Sequence, residues 1–184
     1  MSTRYEIRLA GSGGQGLILA GIILAEAAGI YDGKFVCQTQ SYGPAARGGA
    51  SKAEVVISDG EIDYPKAIQP DVFLALNQKS LDIYLADLKP EGLLLVDADL
   101  VPEVPLDRFF ALPCTRLARE LGKEMAANIV ALGALAALTH AVTWESLEAA
   151  VLARVPPGTA ELNIKALAAG RAAAQALGKS RGRE

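Results

Sequence analysis

The sequence predicts an α/β fold with a mainly parallel sheet, helices on both faces of that sheet, and a helical C-terminal third. Through the first two thirds of the 184 residues, short apolar runs of strand length alternate with longer runs of helical spacing. Residues 92–96 are continuously apolar, as expected of a strand covered on both faces. A glycine cluster directly follows the first strand-like run. Together these observations are typical of a Rossmann-like arrangement.

The individual elements follow from apolar spacing and from the glycines and prolines that separate them. We predict strands at residues 5–9, 34–39, 52–58, 71–76, 92–96 and 108–112. We predict helices at residues 15–28, 79–88, 115–121, 126–140, 144–154 and 160–176. Thr143 precedes the fifth helix and is its expected N-cap. Residues 42–50 form a glycine-rich loop, which we expect to be mobile in the isolated chain.

Composition indicates one compact domain over residues 1–178 and a charged, flexible tail at 179–184. Apolar residues make up 51% of the chain and charged residues 21%, which is enough for a sizeable core. The net charge of −3 gives no reason to expect nucleic acid binding. Two cysteines exclude a disulfide scaffold and a four-cysteine iron–sulfur cluster, and one histidine excludes histidine-rich catalysis. We therefore expect no metal site.

A membrane or secretory role is also disfavoured. Residues 1–6 lead straight into the first strand, without the long apolar region of a signal peptide. The longest uncharged stretch, residues 125–144, is rich in alanine and contains Asn128, Gly133 and His140. A buried helix explains this stretch better than a membrane span. We expect a cytoplasmic protein without a membrane partner.

The glycine cluster is the first candidate binding site. Gly11, Gly13 and Gly16 satisfy G-x-G-x-x-G between a strand and a helix, and with Gly14 and Gln15 they offer backbone donors to an anion. Residues 36–40 contain no carboxylate for a ribose hydroxyl, so a nicotinamide cofactor is disfavoured. The lysine of a P-loop is also missing. A tight turn without any ligand remains the alternative.

A second polar loop follows the second predicted strand. Ser41, Arg47, Gly48 and Gly49 are its candidate binding residues, because Arg47 can clamp a phosphate or carboxylate. Ligands in α/β proteins bind at strand ends. The alternative is a surface arginine in a structural loop.

Taken together, these motifs resemble the gamma subunit of 2-oxoacid:ferredoxin oxidoreductases. The resemblance rests on Gly-Gly-Gln-Gly at 13–16, Gln-Thr-Gln-Ser-Tyr-Gly-Pro at 38–44 and Arg-Gly-Gly-Ala at 47–50. It continues in Ala-Asn-Ile-Val-Ala-Leu-Gly-Ala at 127–134 and in Thr-Ala-Glu-Leu-Asn-Ile-Lys-Ala at 159–166. It covers nearly the whole chain apart from the charged tail.

The resemblance implies a division of labour among several chains. In this family a 2-oxoacid is decarboxylated on thiamine diphosphate, electrons pass through 4Fe-4S clusters to ferredoxin, and the acyl group is transferred to coenzyme A (CoA). It implies alpha, beta and delta subunits as partners, which hold thiamine diphosphate, Mg²⁺ and the clusters. The gamma part is associated with the CoA side. The segment 38–44 looks more like the 2-oxoglutarate and branched-chain types than the pyruvate type.

We assign no catalytic residue to this chain. It lacks a Gly-Asp-Gly segment followed by Asn, and Cys37 and Cys114 have no cluster spacing. Two uses of the glycine loops stay open, contact with CoA and docking against a thiamine-binding subunit. A free-standing nucleotide-binding oxidoreductase and a purely structural assembly subunit are the alternatives. An isolated subunit with an exposed docking face is also expected to pair with a second copy.

Overall fold

The computed structural model describes residues 3–42 and 49–181, with side chains up to residue 177. Six strands form one sheet in the order β2-β3-β1-β4-β5-β6. Their bounds are β1 Arg4–Ser12, β2 Phe35–Tyr42, β3 Ala50–Ser58, β4 Val72–Ala75, β5 Leu93–Asp97 and β6 Phe110–Leu112. All six predicted strands are present, with ends that differ by a few residues.

The sheet is mainly parallel, as predicted, because three of the five neighbouring strand pairs are parallel. The exception is β3, which runs antiparallel to β1 on one side and to β2 on the other. β2 and β3 therefore form a hairpin instead of a strand–helix–strand unit. This hairpin places β3 between β1 and β2.

The helices also match their predicted positions, with differences at their ends. Their bounds are α1 Leu17–Glu26, α2 Gln78–Tyr84, α3 Cys114–Glu120, α4 Ala127–Thr139, α5 Trp144–Arg154 and α6 Ala160–Arg181. α1 continues as a π-helical turn, Ala27–Tyr31, and α2 as a 3-10 turn, Leu85–Asp87. α6 extends past the predicted end at residue 176 and includes the first three residues of the predicted tail. Thr143 is the N-cap of α5, as predicted, and accepts a hydrogen bond from Ser146 N.

Helices cover both faces of the sheet, but unequally. α1 and the C-terminal helices pack on the face that carries Ile7, Leu9 and Val55. The opposite face carries Ala10 and Phe73 and packs against Leu81 of α2. We call the first the helix face and the second the α2 face.

α4 and α6 pack closely on the helix face, where small residues let their backbones approach. Gly170 lies so near α4 that a Cβ atom built on it would be 1.8 Å from Val130 O, and one on Gly133 would be 2.0 Å from Leu167 O. α4 is buried over most of its length, as predicted for the uncharged stretch. In the part of the chain that the structure describes, no helix is long and apolar enough to cross a membrane.

Candidate functional site

The glycine loop connects β1 to α1 by a tight turn at the carboxyl end of the sheet. Gln15 N donates to Ser12 O at 3.1 Å and closes the turn. Gly16 is the N-cap of α1 and has a φ of +70°, a left-handed conformation that favours glycine. No side chain caps the helix, and its first turn holds no acidic residue. The positive end of the α1 dipole is therefore not neutralised by the helix's own side chains.

A side chain at either outer glycine of the loop would displace a neighbouring side chain. A Cβ atom on Gly11 would lie 2.6 Å from Gln15 Oε1 and 2.8 Å from Leu17 Cδ2. One on Gly16 would lie 2.6 Å from Asn128 Nδ2, which donates to Gly16 O at 3.0 Å. The fold itself therefore explains glycine at both positions.

The two inner glycines have no such explanation within the described residues. A Cβ atom on Gly13 or Gly14 would meet nothing within 4 Å, and neither residue has a positive φ. A side chain fits at both positions without strain. Glycine there leaves the backbone open to close approach from outside, by a ligand or by a partner chain.

Gln15 has a structural role in this loop. Its Oε1 accepts from Ser12 N at 2.7 Å, and its Nε2 donates to Leu76 O at 2.9 Å. The side chain thus bridges the carboxyl ends of β1 and β4, which pair side by side. Folds of this class bind dinucleotides in the crevice between those two strands. The Gln15 side chain spans the ends of these two strands.

A cavity of about 240 Å³ lies on the other side of the glycine loop, against the helices. Gly14 and Gly16 form one wall, and the C-terminal helices with their connections form the others. Lys123 and Arg154 bring positive charge to it, and Asn163 an amide. Lys123 has no ion pair within the described residues. The cavity therefore combines backbone glycines with cationic side chains, as an anionic ligand requires.

Apolar side chains sit at the mouth of this cavity. Met125 is 73% exposed, and Leu19 is also exposed. Arg154 is paired with Glu26 through its Nε, which lies 2.8 Å from Glu26 Oε2. The hydrogen bond from Arg154 lowers the pKa of Glu26 below its usual value, so the pair is charged at neutral pH. The site offers apolar contact beside positive charge.

The second loop leaves the sheet at the same end. Tyr42 pairs with Ser51, which pairs with Gly11, so the end of β2 and the end of β1 lie in one row across β3. Ser41 is exposed and lines a separate cavity of about 160 Å³ with Lys52 and Lys66. Gly49 is half-buried just before β3. Arg47 and Gly48 lie outside the described residues.

Sequence reasoning thus missed part of the cavity. It selected the glycine loop, but not Lys123, Arg154 or Asn163, which lie more than a hundred residues later in the chain. Asn163 lies within the segment 159–166, which carries the family resemblance, and this segment was the sequence feature that could have identified it. Asn77 caps α2 by accepting from Ser80 N at 2.9 Å.

The cysteines give no sign of redox chemistry on this chain. Burial, reinforced by Asp97 and Asp99, raises the pKa of the Cys114 thiol far above its usual value. Cys37 is half-buried on β2. Among the described residues, no group of three or more His, Cys, Asp or Glu side chains is arranged to hold a metal ion.

The strand, glycine turn and helix, with positive charge beside them, define an α/β domain with a glycine loop at a helix N-terminus, a geometry that suits an anion. The family model for pyruvate ferredoxin/flavodoxin oxidoreductase matches residues 6–173. The chain belongs to this family.

Two curated relatives illustrate the match. The 2-oxoglutarate synthase subunit KorC of Methanocaldococcus jannaschii is 53% identical over 180 residues, covering 95% of this chain and 96% of the relative. The common gamma subunit of the pyruvate/ketoisovalerate oxidoreductases of Pyrococcus furiosus is 34% identical, covering 79% of this chain and 84% of its own length. Both relatives are named as subunits, which implies partner chains.

Solved structures agree with the fold. A keto/oxoacid ferredoxin oxidoreductase gamma subunit from Geobacter sulfurreducens has a TM-score of 0.85 and 55% identity, covering 94% of this chain and 99% of that one. The 2-oxoglutarate:ferredoxin oxidoreductase of Magnetococcus marinus, solved with 2-oxoglutarate, coenzyme A and succinyl-CoA bound, has a TM-score of 0.83 at 26% identity. The match covers 94% of this chain and 31% of that one. The predicted fold and the resemblance to a gamma subunit are confirmed.

Proposed function

We propose that this chain is the gamma subunit of a cytoplasmic 2-oxoglutarate:ferredoxin oxidoreductase. The complex converts 2-oxoglutarate, CoA and two oxidised ferredoxins to succinyl-CoA, CO2, a proton and two reduced ferredoxins. The proposal is carried by 53% identity to a 2-oxoglutarate synthase subunit over 95% of the chain, against 34% to the pyruvate/ketoisovalerate subunit. Alpha, beta and delta subunits supply thiamine diphosphate, Mg²⁺ and the 4Fe-4S clusters.

Within that complex, this chain supplies part of the CoA side. CoA carries a pyrophosphate, a third phosphate and a long, partly apolar arm. Gly13 and Gly14 present open backbone beside the end of α1 that no side chain caps, and Lys123, which makes no ion pair with any described residue, adds positive charge to the cavity. Met125 offers apolar contact at its mouth. These features support binding of the pyrophosphate at the glycine loop.

The second loop completes the proposed surface. Ser41 lies near the end of β2 and Gly49 directly precedes β3, at the same end of the sheet as the glycine loop. Arg47 and Gly48 lie outside the described residues and follow β2 in the sequence. We include them in the proposal because an arginine beside glycines suits a phosphate group.

Variants of the co-expressed, purified complex test the CoA role. Lys123→Gln and Arg47→Ala each remove one positive charge, and a charged hydrogen bond contributes about 1.5–3 kcal/mol. We expect the KM for CoA to rise about tenfold, while kcat and the KM for 2-oxoglutarate change little. Arg108→Gln is the matched control, because Arg108 is exposed and pairs with Glu91 far from the loops.

Docking of a partner subunit is the second candidate, favoured by the exposure of Met125 beside the glycine loop. If the variants lose partner subunits on gel filtration, docking explains the loops and the CoA role is wrong. If the complex stays assembled and its KM for CoA is unchanged, the CoA role is also wrong. Comparing kcat/KM for 2-oxoglutarate, 2-oxoisovalerate and pyruvate tests the substrate, and preference for pyruvate overturns that part.

A further inference from the structure

The two edges of the sheet differ in length and in protection. β6 forms one edge, contains three residues and lies between Pro105 and Pro113. A short edge strand flanked by prolines gives little for another chain to pair with. β2 forms the other edge and contains eight residues.

The residues of β2 lack the charges, prolines and bulges that commonly protect an edge strand. The strand contains no charged residue, no proline and no glycine. Its eight residues pair one by one with β3, from Phe35 opposite Ser58 to Tyr42 opposite Ser51, without a bulge. Within the described residues, no strand pairs with its outer side. Such a long, regular and uncharged edge is a template for another strand.

Aromatic side chains mark both ends of this strand. Phe35 is 49% exposed and Tyr42 is 68% exposed. Between them, Gln38 Nε2 donates to Thr39 O at 3.3 Å and the Thr39 hydroxyl donates to Glu54 Oε2 at 3.4 Å, while Gln40 is exposed. An added strand therefore finds apolar contact at both ends and the exposed Gln40 amide between them.

We propose that the outer edge of β2 is an interface at which a second copy of this chain pairs antiparallel, joining two six-stranded sheets into one. An uncharged strand is complementary to itself, because no side chain within it is repelled by its symmetry mate. A strand recognised by a charged partner segment would carry the opposite charge, and β2 carries none. The net charge of −3 adds little repulsion between copies.

Symmetry restricts the register of this pairing. The two copies are related by a two-fold axis perpendicular to the sheet, which keeps each side chain on its own face. Because residues directly opposite each other lie on the same face, the axis must pass between a residue and its own copy, such as Gln38–Gln38 or Thr39–Thr39. In the Thr39-centred register, Val36 lies opposite Tyr42 of the second copy, on the same face. In the Gln38-centred register, Val36 lies opposite Gln40. Neither register places like charges opposite each other.

Sedimentation of the full-length chain, over a series of concentrations, tests the interface. We expect a dimer, and we expect Gln40→Lys to raise its dissociation constant at least about tenfold, because an edge lysine opposes strand pairing. Gln40 is exposed, so the variant keeps its fold, which circular dichroism checks. Gln175→Lys makes the same exchange at an exposed position on α6 and should leave the dimer unchanged.

Cysteine trapping provides a second, independent measurement. In a Cys37→Ser background, Gln38→Cys and Thr39→Cys are oxidised separately, and one of the two is expected to form an intermolecular disulfide. Cys114 is buried and does not compete. A monomer at all concentrations overturns the proposal. A dimer that tolerates Gln40→Lys, or that neither cysteine traps, places the interface elsewhere and also overturns it.

Discussion

The two faces of the sheet bury their residues by different physical means. In β1, Ile7 and Leu9 point to the helix face and lie in the apolar core. Glu6 and Arg8 alternate with them and point to the α2 face, yet they are only 6% and 2% exposed. Alternation in a strand thus distinguishes two faces, but it does not say which of them meets solvent.

Charge pairing makes burial possible on the α2 face. Arg8 Nε donates to Glu54 Oε1 at 3.0 Å, and Arg8 NH1 bonds Asp87 at 2.5 Å. Glu6 Oε2 accepts from Ile68 N at 2.8 Å and from Gln69 N at 3.0 Å. These bonds attach the segment 59–71 and the end of α2 to β1. The α2 face is therefore sensitive to removal of a single charge, whereas the helix face is sensitive to added volume.

The largest expected effect comes from Glu54→Leu. This change removes the buried carboxylate that pairs with Arg8 and leaves only the half-exposed Asp87 beside the guanidinium, so we expect a loss of about 3 kcal/mol, the lower end of the cost of breaking a buried pair. Urea unfolding at neutral pH measures the loss. The double variant Arg8→Met/Glu54→Leu should lose less than Glu54→Leu alone, because the buried Arg8 charge is removed together with its buried partner. A single-variant loss below about 1 kcal/mol would contradict this account of the α2 face.

Gly170→Ala should give the largest effect on the helix face. Its Cβ atom would lie 1.8 Å from Val130 O, so α4 and α6 must separate. We expect a loss of about 1–3 kcal/mol by thermal or urea unfolding, in spite of alanine's better helix propensity. Gly158→Ala is the control, since a Cβ there meets nothing within 4 Å. Equal losses for the two variants would show that the close contact between α4 and α6 does not cause the loss of stability.

Removing a helix cap should cost more where the capping side chain also bonds a distant element. Thr143→Ala removes the cap of α5 together with the hydrogen bond from Thr143 Oγ1 to Asp32 Oδ1 at 2.7 Å, and Asn77→Ala removes the cap of α2. We expect Asn77→Ala to lower the free energy of unfolding by about 1 kcal/mol and Thr143→Ala by about 2 kcal/mol. Thr143→Ser should retain most of the stability. Equal losses for the two alanine variants would contradict the tertiary role of Thr143.

The smallest expected effect is a pH dependence on the helix face. Partial burial tends to raise the pKa of Asp32, but hydrogen bonds from Ser146 and Thr143 outweigh it, and the pKa is lowered. Because the pKa of Asp32 is lower in the folded state, the group adds stability at pH values above its unfolded pKa of about 3.9. This stability is lost as the pH falls through the pKa of the folded state. The difference in unfolding free energy between wild type and Asp32→Asn should therefore shrink in acid. A difference that is constant with pH would contradict the assignment.

Most of the fold was predictable because its signals are local. Each strand has its own apolar run, and α5 has its own cap at Thr143. The prediction of the helix ends was weaker where the end depends on a contact. α1 begins at Leu17 and not at residue 15, because Gly16 adopts a left-handed conformation against Asn128.

The site was predictable only in part. The glycine loop follows from its motif, but the motif does not distinguish Gly11, where a Cβ atom would displace neighbouring side chains, from Gly13, where it would meet nothing within 4 Å. It also does not show that Gln15 bonds across to Leu76, at the end of the neighbouring strand β4. Both facts depend on atoms from distant parts of the chain.

The sequence by itself determined the class of fold, the family and the position of the glycine loop, because local spacing and short motifs carry that information. Only the tertiary structure decided that β3 enters between β1 and β2, that Glu6 and Arg8 are buried, and that Lys123 and Arg154 lie beside Gly14. The physical reason is that strand order and charge burial are set by contacts between residues far apart in the chain, and such contacts leave no regular period in the sequence.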